Sequence, residues 1–244
     1  MFFAHGRFCG LFKAVVAFGL LAACSDKEST ATSQADASQG AALYESMFVK
    51  YANNPEPEGR ITFLSGFSFL PPQGENWIEG PRKPEPDPNN FGLVHRLAFA
   101  KLLPQNEERG PHTVVANIFT MRVTRRNKEL EPKEFMRFRM RVTLASDKVV
   151  KNSKVVSQKA DLDETLGYHC FRYDGEFENL GVVGFRGVPF RIDNHLIECI
   201  APSRDFVVRM QYGQMTPPDV EAIDITREGE GFLKTLQFTS GPQG

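Results

Sequence analysis

Side chains able to do metal or redox chemistry gather in the second half of the chain. His169 stands directly before Cys170, and His195 stands four residues before Cys199. Brought together, two imidazoles and two thiolates would make a zinc site, since those are the ligands zinc prefers. These spacings are not those of compact zinc sites, and a disulfide between the cysteines would exclude a metal. The plainer reading is two strand histidines on a half-exposed face. Asp161, Asp163 and Glu164 suggest calcium, but the loop lacks the glycine and the distant glutamate of an EF-hand, so a solvated turn is expected. Ser65-Gly66 is not part of a nucleophile elbow, because Gly-x-Ser-x-Gly occurs nowhere. Neither phosphate-binding glycine pattern, Gly-x-x-x-x-Gly-Lys or Gly-x-Gly-x-x-Gly, is present. No catalytic residue, metal or cofactor is therefore expected.

Two further groups concern binding rather than reaction. Arg122, Arg125, Arg126 and Lys128 form a basic cluster at a strand end. It can touch anionic head groups or a partner, but reads first as a solvated hairpin tip. Trp77, Ile78 and Phe91 stand in or beside an irregular stretch, Pro71–Asn90. A tryptophan there is either tucked over a sheet or offered to a ligand, so these three are the candidates for ligand or partner contact.

Residues 1–23 must deliver these groups to their compartment. Arg7 and Lys13 precede an unbroken apolar run, Ala14–Ala23, the charged and hydrophobic regions of a secretion signal. Ten residues span about 15 Å as a helix, roughly half the hydrocarbon core of a bilayer, so this is no permanent membrane span. Its end, Leu21-Ala22-Ala23-Cys24, resembles the lipobox of bacterial lipoproteins. The resemblance implies cleavage after Ala23, a diacylglyceryl group on the Cys24 sulfur and acylation of the new amine. Two or three acyl chains make detachment negligible. Ser25 follows the cysteine, and Asp26 comes one place later than an inner-membrane retention signal would have it. By that resemblance the protein belongs to the outer membrane, facing the periplasm; a Gram-positive source would place it on the outer face of the cytoplasmic membrane. Residues 25–40, SDKESTATSQADASQG, hold no bulky apolar group and are expected to be a flexible tether, roughly 20–24 Å from end to end.

Export also bears on the cysteines. Cys9 leaves with the signal and Cys24 is lipidated, so Cys170 and Cys199 remain as a pair in an oxidising compartment. A disulfide is the natural reading, with two buried free thiols as the alternative. The chain has 244 residues with a net charge of −1; residues 1–23 remove two cations and no acid, leaving 27 basic and 30 acidic groups and a net −3. That balance lacks the basic footprint of a nucleic-acid-binding protein. The 21 phenylalanines are enough to build a sizeable core.

The elements that would carry these groups form one domain, residues 41–244. A short helix is expected over 41–51, from Leu43, Met47 and Tyr51. A bulged or broken strand runs through Ile61–Phe69 to Pro71-Pro72, and Gly80–Asn90 is a proline-rich surface loop. Strands at 93–99 and 114–120 form a hairpin around the charged tip 105–110. A helix spans 132–146, with Phe135, Phe138, Arg139 and Val142 on one side and its arginines turned outward. Strands follow at 153–158, 166–177, 184–193, 195–200 and 205–212. Thr216-Pro217-Pro218-Asp219 is expected to start a last helix, broken near Gly229–Gly231. Together these give an α+β fold, an antiparallel β-sheet flanked by helices. The stretch Gly66-Phe67-Ser68-Phe69-Leu70-Pro71-Pro72 with Trp77, and the ending Phe232–Phe238, resemble the first strand and the last helix and strand of PsbP-like domains. That resemblance implies a PsbP-like α/β/α sandwich, and no functional residue. The leading functional reading is a non-enzymatic accessory protein that binds an envelope protein or other envelope component. The alternatives are a small-ligand carrier with a pocket lined by phenylalanine, and a hydrolase or metalloenzyme, which would need His169, His195 or the acids to converge in a cleft.

Overall fold

The computed structural model describes residues 59–63, 65–80, 93–103, 112–146, 152–182 and 185–239. The signal with Ala23, Cys24, the tether, the helix expected at 41–51, Phe91, most of the proline-rich loop and the hairpin tip at 105–110 lie outside them.

Strand β9 (Phe206–Thr216) organises the molecule. It is buried at every position, so both of its faces must be covered. Its even positions Phe206, Val208, Met210 and Tyr212 enter one core, while Val207 and Met215 enter another. Around it lies a seven-stranded antiparallel sheet in the order β3-β4-β5-β9-β8-β7-β6. Its members are β3 (Trp77–Glu79), β4 (Leu93–Lys101), β5 (Thr113–Arg122), β6 (Ser153–Asp163), β7 (Cys170–Asn179) and β8 (Phe190–Ile200). A three-stranded antiparallel sheet, order β1-β2-β10, is built from β1 (Ile61–Phe63), β2 (Phe67–Phe69) and β10 (Gln237–Phe238). Three helices are described: α1 (Arg125–Lys128), α2 (Pro132–Ser146) and α3 (Thr226–Leu233).

Ten phenylalanines among the described residues fill the two cores. Phe67, Phe69, Phe99, Phe206, Phe232 and Phe238 pack with the small sheet and α3 on one face. The Phe69, Phe99 and Phe232 rings meet edge to face at 6.2–6.4 Å, a geometry that suits their quadrupoles. Phe135, Phe171, Phe177 and Phe190 fill the other face beneath α2.

This corrects the expected fold class. The chain is not a helix-flanked α/β/α sandwich: ten strands in two antiparallel sheets dominate, and the helices are few and short. A second sheet takes part of the covering role that the PsbP-like reading gave to helices. The expected broken strand at 61–69 is a tight hairpin, because Gly66 adopts φ +90° and its N–H donates to the Phe63 carbonyl at 3.0 Å. The two strands expected at 184–193 and 195–200 are one, β8. Thr216-Pro217-Pro218-Asp219 starts no helix. β9 runs on through Thr216, and Asp219 at φ +60° cannot be helical. Helix α3 begins at Thr226, whose N–H is taken by the Asp224 carboxylate at 3.0 Å. It passes unbroken through Gly229 and Gly231.

Gly229 is required where it stands. A Cβ there would fall inside the Tyr212 ring, whereas one at Gly231 meets nothing. Gly229→Ala should lower unfolding stability by about 2 kcal/mol, overpacking of about 3 kcal/mol offset by about 1 kcal/mol of helix propensity. Gly231→Ala should raise it by about 0.5–1 kcal/mol. Paired guanidinium unfolding curves test this; equal shifts for the two variants would refute the packing argument.

Candidate functional site

On the face of the large sheet shared with α3, polar side chains take over toward the β6 edge. The register aligns Lys159, Asp174, His195 and Tyr212 across β6, β7, β8 and β9. His195 Nδ1 lies 2.6 Å from Asp174 Oδ1, and its ring stacks on Tyr212 with centroids 4.8 Å apart. The Tyr212 hydroxyl donates to Glu230 on α3 at 3.3 Å. Arg172, one step along β7, donates through Nη1 to both Glu230 oxygens at 2.6 and 2.7 Å, and through Nε to Asp163 at 3.3 Å. Burial raises the Tyr212 pKa, and the Glu230 carboxylate adds to that, so the phenol stays protonated as a donor. The hydrogen bond from His195 holds the Asp174 carboxyl below its ordinary range. The result is a continuous, half-buried chain of donors and acceptors that ties α3 to the sheet. It presents one edge of an imidazole and two carboxylates to solvent.

A second cluster joins α3 to the far side of the same face. Glu228 accepts from the Trp77 indole at 2.9 Å and from Lys101 at 2.7 Å. Lys101 also lies 5.5 Å from the Trp77 ring centre, in cation–π range. Trp77 and Ile78 are therefore placed plainly: both are buried on β3, and the indole's polar end is used inside the protein.

The third cluster lies under α2. Glu198 is fully buried and receives Arg139 Nε at 2.6 Å, Arg139 Nη2 at 3.0 Å and Arg209 Nε at 2.7 Å. Arg209 also donates to Thr143 at 3.2 Å. Burial alone would push the Glu198 carboxyl up; the two guanidiniums outweigh it and hold the pKa at about 2. This corrects the sequence reading of α2, in which all three arginines turn outward. Arg139 faces the sheet with Phe135, Met136 and Thr143, while Phe138 and Val142 are the exposed pair.

Cys170 and Cys199 sit directly opposite each other on β7 and β8, both buried, and are joined by a disulfide. His169 and His195 do not converge. They are separated by five residues along β7, roughly 16 Å at strand spacing. Among the described residues no group of three His, Cys, Asp or Glu side chains is placed to hold a metal ion. Asp163 closes its own turn, accepting from the Thr165 N–H at 2.8 Å and its hydroxyl at 2.6 Å, and Glu164 pairs with Lys133 at 3.1 Å. The basic cluster stands exposed at Arg122, on α1 and at Lys128, which pairs with Asp205.

Sequence reasoning passed over the three acid–base clusters. One signal was available: Glu198 and Arg209 each interrupt an apolar run, Leu196–Ile200 and Val207–Met210. A charge at an inward strand position needs an opposite charge beside it.

Glu198 generates the sharpest test. Glu198→Gln leaves two buried guanidiniums short of a counter-charge and should cost about 3–5 kcal/mol. The carboxyl's folded pKa lies below its unfolded value. Its contribution is therefore present above pH 4.5 and is lost as pH falls through about 2. Unfolding midpoints from pH 6 down to 2 should fall steeply for the native chain and much less for the variant. Parallel slopes would refute the assignment.

Comparisons with known proteins add little. No family model matches the chain, and no curated protein sequence matches it. A solved structure of LpqN, involved in cell envelope biogenesis of Mycobacterium tuberculosis, is similar at TM-score 0.44 and 12% identity, covering 74% of this chain and 90% of that one. At that distance the likeness carries no argument about this protein.

Proposed function

We propose that the chain is a cell-envelope lipoprotein, cleaved after Ala23, acylated on Cys24 and held in the outer membrane facing the periplasm. Its body is a non-enzymatic binding module for a protein or other envelope component. The observation that carries the reading is the Cys170–Cys199 disulfide. It joins register partners of adjacent strands inside a core, so it belongs to the folded design rather than to chance oxidation of surface thiols. Such bridges form in secreted and periplasmic proteins, the compartment to which Ala14–Ala23 and Cys24 address the chain. Binding rather than turnover is favoured by how the ionisable groups are used. His195 is committed to Asp174, Arg172 to two acids, and Glu198 to two arginines. Groups paired with one another stiffen a scaffold.

The intact mass of the protein recovered from envelopes tests the anchor. It should lack residues 1–23 and carry acyl chains, and Cys24→Ser should abolish the acyl mass. A mature protein with an unmodified Cys24 would end the reading. Cross-linked co-purification from envelopes tests the second half. A purified body that turns over a substrate, while the tethered form captures no envelope component, would overturn it. The disulfide has its own readout: breaking it with Cys170→Ala/Cys199→Ala should cost about 3–4 kcal/mol on loop-entropy grounds, measured by denaturant unfolding.

A further inference from the structure

The outer surface of α2 carries an arrangement that neither core nor polar network uses. Phe138 and Val142, four residues apart and so one above the other, are 39% and 38% exposed. Arg137 and Arg141 flank them on the adjacent ridge, both exposed. Arg125 and Arg126 stand exposed on α1, just ahead of α2 in the chain. None of these four arginines has an ion-pair partner among the described residues. Three acids, Glu129, Glu131 and Glu134, are exposed on the same stretch, but seven cations between Arg125 and Val142 outnumber them and leave it at +4 in a chain that carries −1.

We infer that this face docks on an anionic phospholipid surface. Unpaired cations beside a projecting aromatic and an aliphatic side chain are the chemistry of interfacial binding. The guanidiniums meet the head groups, and the ring enters the boundary below them. A bilayer makes no demand for shape, so a convex helix face can meet it without a complementary groove. The inference rests on the lipid-anchor reading, which supplies the second argument. Cys24 and Gly59, the first described residue, are 35 positions apart, so an anchored body meets its own bilayer at an effective concentration on the order of millimolar. Weak attraction then suffices: each cation strengthens binding to an anionic surface by about fivefold.

The test uses the mature, lipidated protein inserted in vesicles, with a polarity-sensitive fluorophore on Phe138→Cys and a quencher carried by the lipid. A matched probe on Lys234→Cys, after α3 on the opposite layer and 65% exposed, is the control. In vesicles containing one quarter phosphatidylglycerol the Phe138 probe should be quenched and the Lys234 probe should not. In neutral phosphatidylcholine neither should be quenched. Arg137→Glu with Arg141→Glu should weaken the docking equilibrium constant at least about 25-fold, two cations at about fivefold each. Salt at 0.5 M should reverse docking. If the protein stays with the vesicles while the Phe138 probe remains in water in both lipids, docking is overturned and the anchor stands. A protein that leaves the vesicles altogether overturns anchor and docking together. A Phe138 response that appears only when soluble envelope protein is added overturns docking on lipid in favour of a protein partner.

Discussion

Strand β9 has no solvent face, and the rest of the molecule follows from having to cover it twice. An antiparallel sheet usually keeps one side wet. Here Tyr212, Met210 and Val208 look toward α3 and the small sheet, while Val207 and Met215 look toward α2. Each covering layer must in turn be fixed in position. On one side this is done by aromatic edges and by Glu228 and Glu230, which reach from α3 to Trp77, Lys101, Arg172 and Tyr212. On the other it is done by the contact between Arg139 and Glu198.

That last contact sets the rotational phase of α2. A carboxylate with no exposed surface tolerates a single arrangement, in which guanidiniums reach it. Turn the helix to bury Phe138 and Val142 instead of Arg139 and Met136, and Glu198 loses half its counter-charge. A buried ion pair of this kind adds little net stability against an apolar substitute. It does exclude the alternative packing that an apolar face would permit, and so it leaves Phe138 and Val142 outside.

The sequence made local matters legible and left non-local ones hidden. The bounds of α2 could be read because Pro132 and the periodicity after it are local signals. The opposed positions of Cys170 and Cys199 could not be read from spacing; only the choice of partners could. The two-sheet architecture is hidden because the strands of the second sheet, Ile61–Phe63, Phe67–Phe69 and Gln237–Phe238, are two or three residues long and carry too little alternation to announce it. The last helix was misplaced because Pro217-Pro218-Asp219 has the composition of a helix start, and the positive φ at Asp219 overrides composition. Trp77 looked like a loop residue because its neighbours are prolines and glycines; its burial depends on Glu228, 151 positions away.

The two margins of the large sheet differ in build but share a consequence. β3 is three residues long, too short to template another strand. β6 is eleven residues long and would be an open invitation to continue the sheet into a neighbouring molecule. A register shift between Val155 and Ser157 interrupts its outer row of hydrogen-bonding groups, and Lys154 and Lys159 stand 72% and 77% exposed along it. Edge-to-edge polymerisation is thereby discouraged from both sides. Copies of this fold can crowd together at high density without fusing their sheets.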